Sequence, residues 1–180
     1  VEHTRGPAQA RPPAGKFAAF RGFELAMDST ERERRGLALR RMYRTLAPWV
    51  TENPLMHHMR DAKPEAVRTA IDQAAEVGFE MVILSFGSGF NAENDDPAHL
   101  AGWRGVADHA RSKGIDLGCY SLYASRQVGG GNDIVCPAGE QPTFGHCPAI
   151  TSGWGQGYLN KLHGLFEATG FTVFEHDGPY

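Results

Sequence analysis

Glu175, His176 and Asp177 stand side by side at the end of an apolar run that begins at Phe171. Two carboxylates and an imidazole in three consecutive positions can bind hydroxylated ligands, move protons or attack an electrophilic carbon. As hard oxygen and nitrogen donors they can also ligate a divalent cation. Side chains alternate along an extended segment, so Glu175 and Asp177 share one face and His176 takes the other. Asp177 lies seven residues after Gly170, just as Ser85 lies seven after Gly78 and Ser121 seven after Gly114. Each of these glycines closes a helical pattern, and an apolar strand pattern follows it. In a parallel β/α fold that shared register predicts all three polar residues at the carboxyl ends of neighbouring strands, where such folds assemble their sites.

Other residues join this set by position. Glu52 stands at the end of the first expected strand, and His57 and His58 follow it, within reach of ligand hydroxyls. Tyr120 flanks Ser121, and Trp154 opens the last helix, where a ring can stack on the apolar face of a sugar. Each has a plainer reading: Glu175 and Asp177 as a hydrogen-bonded structural pair or helix caps, Tyr120 as core packing, the histidines as surface residues.

The elements that must position these residues read as strand alternating with helix. Residues 1–16 are rich in Pro, Arg and Gly without periodicity and read as a loop or linker. A short strand is expected over 17–25, and Thr30 with Glu33 forms a capping-box pattern ahead of a basic helix running to Arg44. The apolar stretch 46–50, stopped by Pro54, is the first expected strand of the sheet. Pro64 opens a helix with Val67, Ala70, Ile71 and Ala74 on one face, and Gly78 ends it. The strand Met81-Val82-Ile83-Leu84 is continuously apolar, as for a parallel strand buried on both faces. Asp96-Pro97 starts the next helix, which runs to Gly114, and a strand follows over 115–120. A long connection, 126–150, carries Gly129-Gly130-Gly131, and Ser152 caps the final helix before the strand to Asp177. Alternation of this kind predicts an α/β fold with a parallel sheet. A doubly wound sheet carries a glycine-rich phosphate turn after its first strand, and Thr51-Glu52-Asn53-Pro54 is nothing of that kind. The expectation is therefore the first half of a (β/α)8 barrel, which in full takes about 250 residues.

Composition narrows the function classes. A 41% hydrophobic content over 180 residues suffices for a packed core, and a net charge of -3 gives no general attraction to nucleic acid or anionic membrane. The locally basic stretch 31–44 reads as a solvated helix face. No apolar run approaches the ~20 residues of a membrane span. Cys119 sits in an apolar strand, whereas Cys136 and Cys147 share one loop, where a disulfide would form only under oxidising conditions. Their spacing with His146 fits no common zinc pattern. The chain opens at Val1 and stops three residues past Asp177, and it reads as a piece of a longer protein.

The run Arg40-Arg41-Met42-Tyr43-Arg44-Thr45-Leu46-Ala47-Pro48-Trp49 with Thr51-Glu52-Asn53-Pro54, then Phe86-Gly87-Ser88-Gly89 and the closing Glu175-His176-Asp177-Gly178, resembles bacterial α-galactosidase-like glycoside hydrolases of the melibiase type. The resemblance spans about residues 17–180 and rests on these motifs as a set. It implies the end of an amino-terminal β-sandwich and a linker helix in 1–45 and half of a barrel catalytic domain in 46–180. It implies retaining hydrolysis of a glycoside or oligosaccharide without metal or cofactor. Asp177 would be the nucleophile, and the acid/base would lie on a later strand, past Tyr180. Glu52, His57, Tyr120, Trp154, Glu175 and His176 are the expected substrate contacts. One residue departs from the family pattern: those enzymes carry a Lys two residues before the nucleophile, donating to sugar hydroxyls, and here that residue is Glu175, an acceptor. Two other readings remain at this stage. Glu52, Glu175, His176 and Asp177 could hold a metal for sugar isomerisation or epimerisation, or the barrel could bind carbohydrate without catalysis.

Overall fold

The computed structural model describes residues 22–50, 54–136, 139–140 and 145–177. The chain divides into two compact units, 1–51 and 52–180. In the first, helix α1 (Arg32–Leu46) has no buried residue. The expected capping box does not form: the N-cap is Glu31, which makes no side-chain capping bond, and the Glu31 N–H is taken by Ser29 Oγ at 3.1 Å. The strand expected over 17–25 is absent from its described part, 22–25, and 17–21 lies outside the described residues. Nor is 46–50 a strand. Leu39, Met42, Tyr43 and Leu46 keep helical spacing, so α1 continues to Leu46, and a turn follows in which Val50 N–H reaches Ala47 O at 3.1 Å.

The second unit carries β1 (Met56–Met59), α2 (Pro64–Val77), β2 (Met81–Leu84), α3 (Pro97–Ser112), β3 (Asp116–Leu122), α4 (Gly153–Thr169) and β4 (Val173–Asp177). The strands form one parallel sheet in the order β1-β2-β3-β4. The fold is thus α/β with a four-stranded parallel sheet alternating with helices. The first strand is Met-His-His-Met rather than 46–50, so β4 remains the fourth strand and Asp177 its last residue.

Local chemistry explains the boundaries. Pro64 takes the first turn of α2, where its missing N–H costs nothing. Gly78 and Gly170 close α2 and α4 at φ 82° and 73°, a left-handed geometry that a Cβ disfavours. Asp96 Oδ1 accepts the N–H groups of Ala98 and His99 at 2.8 and 3.0 Å, and Ser152 Oγ accepts that of Gly155 at 3.1 Å.

Sequential strand order without reversal keeps the crossover helices on one side of the sheet. Consistent with that, α3 packs against both α2 and α4. The core lies between helices and sheet: Ile71 of α2, Val106 of α3 and Leu165 of α4 meet Val82, Leu84, Leu117 and Cys119, all buried. Each such aliphatic side chain contributes roughly 1.5–3 kcal/mol by leaving water. Between α2 and the carboxyl-terminal end of α3, Asp72 accepts from His109 Nε2 at 3.0 Å and Lys113 Nζ at 3.1 Å, which holds its carboxyl below the usual range through the Lys113 hydrogen bond first. Among the described residues no helix is long and apolar enough to cross a membrane.

Candidate functional site

Leu84, Cys119 and Phe174 form one row across the sheet and face the helices, as the burial of Leu84 and Cys119 in the core requires. One residue on, Ser85, Tyr120 and Glu175 stand in line on the opposite face. There Ser85 Oγ donates to Glu175 Oε2 at 3.1 Å, and His58 Nδ1 lies 3.1 Å from Ser85 Oγ and 3.6 Å from Glu175 Oε1. The single hydroxyl proton of Ser85 goes to Glu175, so the proton between His58 and Ser85 belongs to Nδ1. His58 Nε2 faces Met56 Sδ at 3.2 Å. This is no nucleophilic triad. A relay needs the hydroxyl and the acid on opposite ring nitrogens, whereas both meet Nδ1 here. Ser85 is a donor that fixes Glu175.

Two residues past Glu175, at the end of β4, the exposed Asp177 accepts the Tyr120 hydroxyl on Oδ2 at 2.7 Å. Its Oδ1 meets no donor among the described residues. Tyr120 also forms a T-shaped pair with Phe86, with ring centroids 5.6 Å apart at 78°.

The remaining expected residues lie elsewhere. His176 turns to the helix side, where its ring lies 5.9 Å from that of Tyr123 and 5.7 Å from that of Phe174. His57 is on the same side of the sheet, edge-on to Phe79 at 6.3 Å. Alternation along β1 therefore brings His58 to Glu175 and sends His57 away from it. Trp154 stacks on Tyr158 at 5.5 Å and 13°, and the Arg126 guanidinium sits 5.7 Å over its ring. Tyr158 and Arg126 also lie within 5.9 Å of each other, so both meet Trp154 from the same side. Glu52 lies outside the described residues.

The three polar residues at matched distance from their glycines all reach the carboxyl ends of strands, but not one face. Ser121 faces the helices and accepts the buried Tyr158 hydroxyl at 2.8 Å. The cause is a stagger: Leu84, Cys119 and Phe174, one row, lie six, five and four residues past Gly78, Gly114 and Gly170. A step of one residue per strand, set against a side-chain period of two, alternates the face on which equivalent positions point.

The four-ligand metal set does not converge, because His176 is turned from Glu175 and Asp177. Among the described residues no group of three or more His, Cys, Asp and Glu is gathered to hold a metal ion. Cys136 and Cys147 are free thiols, and burial pushes the Cys119 thiol up to about 12, leaving it inert. Sequence reasoning put His58 within reach of ligand hydroxyls and Ser85 at the carboxyl end of a strand, but it did not join them to each other or to Glu175, and it gave Phe86 no role of its own. The signal for Ser85 was present in the glycine register, and that for His58 in its two-residue phase with the strand. Compared with known proteins, the sequence matches no family model, and neither a curated protein nor a solved structure matches it.

Proposed function

We propose that residues 52–180 form the first half of a (β/α)8 barrel and that Asp177 is the nucleophile of a retaining glycoside hydrolase related to the melibiase-type enzymes. The observation that carries this reading is the posture of Asp177: it ends the fourth strand, with Oδ2 held by Tyr120 at 2.7 Å and Oδ1 without a donor among the described residues. A carboxylate anchored through one oxygen keeps the other aligned for attack. The barrel draws support from the sequential parallel order β1-β2-β3-β4, which keeps the crossover helices on one face of the sheet as such barrels do. In the first step Oδ1 bonds to the anomeric carbon as the glycosidic C–O bond breaks; its electron pair goes to the leaving oxygen, which takes a proton from the acid/base carboxyl group expected on a later strand. That group, now a carboxylate, then takes a proton from the water that attacks the same carbon and breaks its bond to Asp177. Glu175, fixed by Ser85, accepts hydrogen bonds from sugar hydroxyls where the related enzymes donate them from Lys.

An activated leaving group departs without protonation, so the nucleophile can be tested apart from any acid. Incubation with fluoroglycosyl fluorides of galactose, glucose and mannose is expected to leave one fluoroglycosyl group on the peptide bearing Asp177. Asp177→Asn should lower that labelling by more than about a thousandfold. A label on another residue would overturn the assignment. Binding of sugars with no label at all would favour a carbohydrate-binding barrel, a reading that the acceptor Glu175 also suits.

A further inference from the structure

Arg60 extends the row of Ser85, Tyr120 and Glu175 by one strand. Met59 pairs with Leu84, and Ser85 N–H reaches Met59 O at 2.9 Å, so Arg60 is level with Ser85. Met59 packs against the core on the helix side, and the next side chain therefore leaves on the face of Ser85 and Glu175. Its guanidinium lies on the turn after β2, which Ser88 N–H closes on Ser85 O at 3.0 Å. A Cβ on Gly87 would meet Arg60 Nη2 at 2.8 Å and Nε at 3.4 Å, so the guanidinium rests against backbone that only glycine leaves bare. The same turn carries Ser85, which fixes Glu175, and Phe86, which pairs with the Tyr120 ring. Arg60 is exposed and meets no carboxylate among the described residues. The acids around it are otherwise engaged: Asp61 with the N–H and ammonium of Lys63 at 2.9 and 3.6 Å, Glu175 with Ser85 and His58. Arg126, past the end of β3, is bound to Glu93 at 2.6 Å. The site is therefore polarised, with the carboxylates of Glu175 and Asp177 on β4 and an unpaired cation beside β1 and β2.

We propose that Arg60 binds an anionic group on the sugar itself, so that the ring attacked by Asp177 is an acidic sugar, a uronate or a sulfate ester, rather than a neutral hexose. The proposal rests on the reading of Asp177 as a sugar nucleophile. Neighbouring strands lie about 4.8 Å apart, and Gly87 and Asp177 belong to strands two places apart, so about 10 Å separates the seat of the guanidinium from the nucleophile. One pyranose ring with a polar contact at either side spans that gap. A guanidinium offers five donors in a planar fork that matches an oxyanion, and this fork is held in place without one. Charge sets which way round the ring lies. Glu175 and Asp177 repel an anionic group and Arg60 attracts it, which leaves the anomeric carbon on the side of Asp177. A neutral ring would strip water from Arg60 and return no partner for its charge, at a cost.

Titration calorimetry would compare the methyl α-glycosides of galacturonic and glucuronic acid, and the 6-sulfates of methyl α-galactoside and methyl α-glucoside, with the neutral parent glycosides. The expected result is that one acidic glycoside binds at least about tenfold more tightly than its neutral parent, as a charge-assisted bidentate pair gives. The uronate and sulfate arms tell which anion Arg60 takes. Arg60→Gln, at an exposed side chain, should bring that pair within about twofold by weakening the acidic member, with the circular dichroism and melting curve reporting that the variant is folded. Equal affinities of acidic and neutral glycosides in the unaltered protein would overturn the acidic substrate and leave Asp177 untouched. A preference that survives Arg60→Gln, or equal weakening of both members of the pair, would overturn the role of Arg60. No binding of any saccharide would remove both readings together.

Discussion

Ser85 sits at the middle of the site because of what its neighbour strand lacks. Between β2 and β4 the β3 residue level with Ile83 is Gly118, and a Cβ on Gly118 would lie 2.5 Å from Val173 Cβ and 2.7 Å from Val173 O. Val173 is β-branched and its carbonyl is part of the ladder, so neither can give way cheaply. The absent side chain lets Val173 lean over β3, and two residues on, Tyr120 and Glu175 are paired and Ser85 spans to Glu175 at 3.1 Å. Gly118→Ala is expected to cost about 1–3 kcal/mol by overpacking. It should also loosen the Tyr120 to Asp177 hydrogen bond by spreading β3 from β4. Urea melts and labelling at Asp177 would read the two effects. Unchanged stability would show that the strands do not approach so closely.

Among the elements, the long connection after β3 is better organised than its glycines suggest. Gly129, Gly130 and Gly131 all take positive φ, at 70°, 60° and 75°, and curl the chain round Asn132 and Asp133. Asp133 accepts Val128 N–H at 2.9 Å and Gly129 N–H at 2.8 Å, and these bonds hold its carboxyl below the usual range. Asn132 Oδ1 accepts Trp154 N–H at 3.2 Å, tying the loop to the start of α4. A folded-state value below the ordinary 3.8 means that this support is fully present above that pH and is lost as pH falls through the lower, folded value. Limited proteolysis between Arg126 and Ile150 should therefore quicken below about pH 4 and in Asp133→Ala at neutral pH, with little change in the global melt, because such loops open locally. Equal cleavage rates in the variant and the unaltered protein would count against the clamp. Sequence reading found helices α2, α3 and α4 and strands β2, β3 and β4 because their Gly, Pro, Asp and Ser boundaries act locally. It missed β1 because a four-residue edge strand reading Met-His-His-Met, mostly exposed, carries no apolar signal. The apolar stretch at 46–50 competed with it and lost, since Leu46 completes a helical face instead. Asp177, Glu175 and Tyr120 could be read from alternation and register. The partnership of His58 with Ser85 could not, because it depends on which strand lies beside which and by how many residues they are stepped.

At the scale of the whole molecule the sheet has two open ends among the described residues. Among the described residues β1 pairs only with β2 and β4 only with β3, so each leaves a row of backbone donors and acceptors toward its outer side. These edges are short, at four and five residues. Ladder bonds worth about 1 kcal/mol each net would not by themselves offset the roughly 4–15 kcal/mol cost of association. Apolar side chains beside the edges must supply the rest, and they are there: Leu55 and Met56 are 59% and 39% exposed at β1, and Phe174 is 38% exposed on β4. A net charge of only -3 opposes the encounter weakly. The protein is therefore expected to self-associate reversibly, with a dissociation constant between about 1 µM and about 1 mM. Because the drive is apolar, added salt should not dissolve the complexes, whereas Phe174→Lys, a charge on an edge strand, should shift the equilibrium toward monomer. Sedimentation velocity across that concentration range checks both statements. A monomer at every concentration, melting in one sharp transition, would mean that these edges are covered within the chain itself.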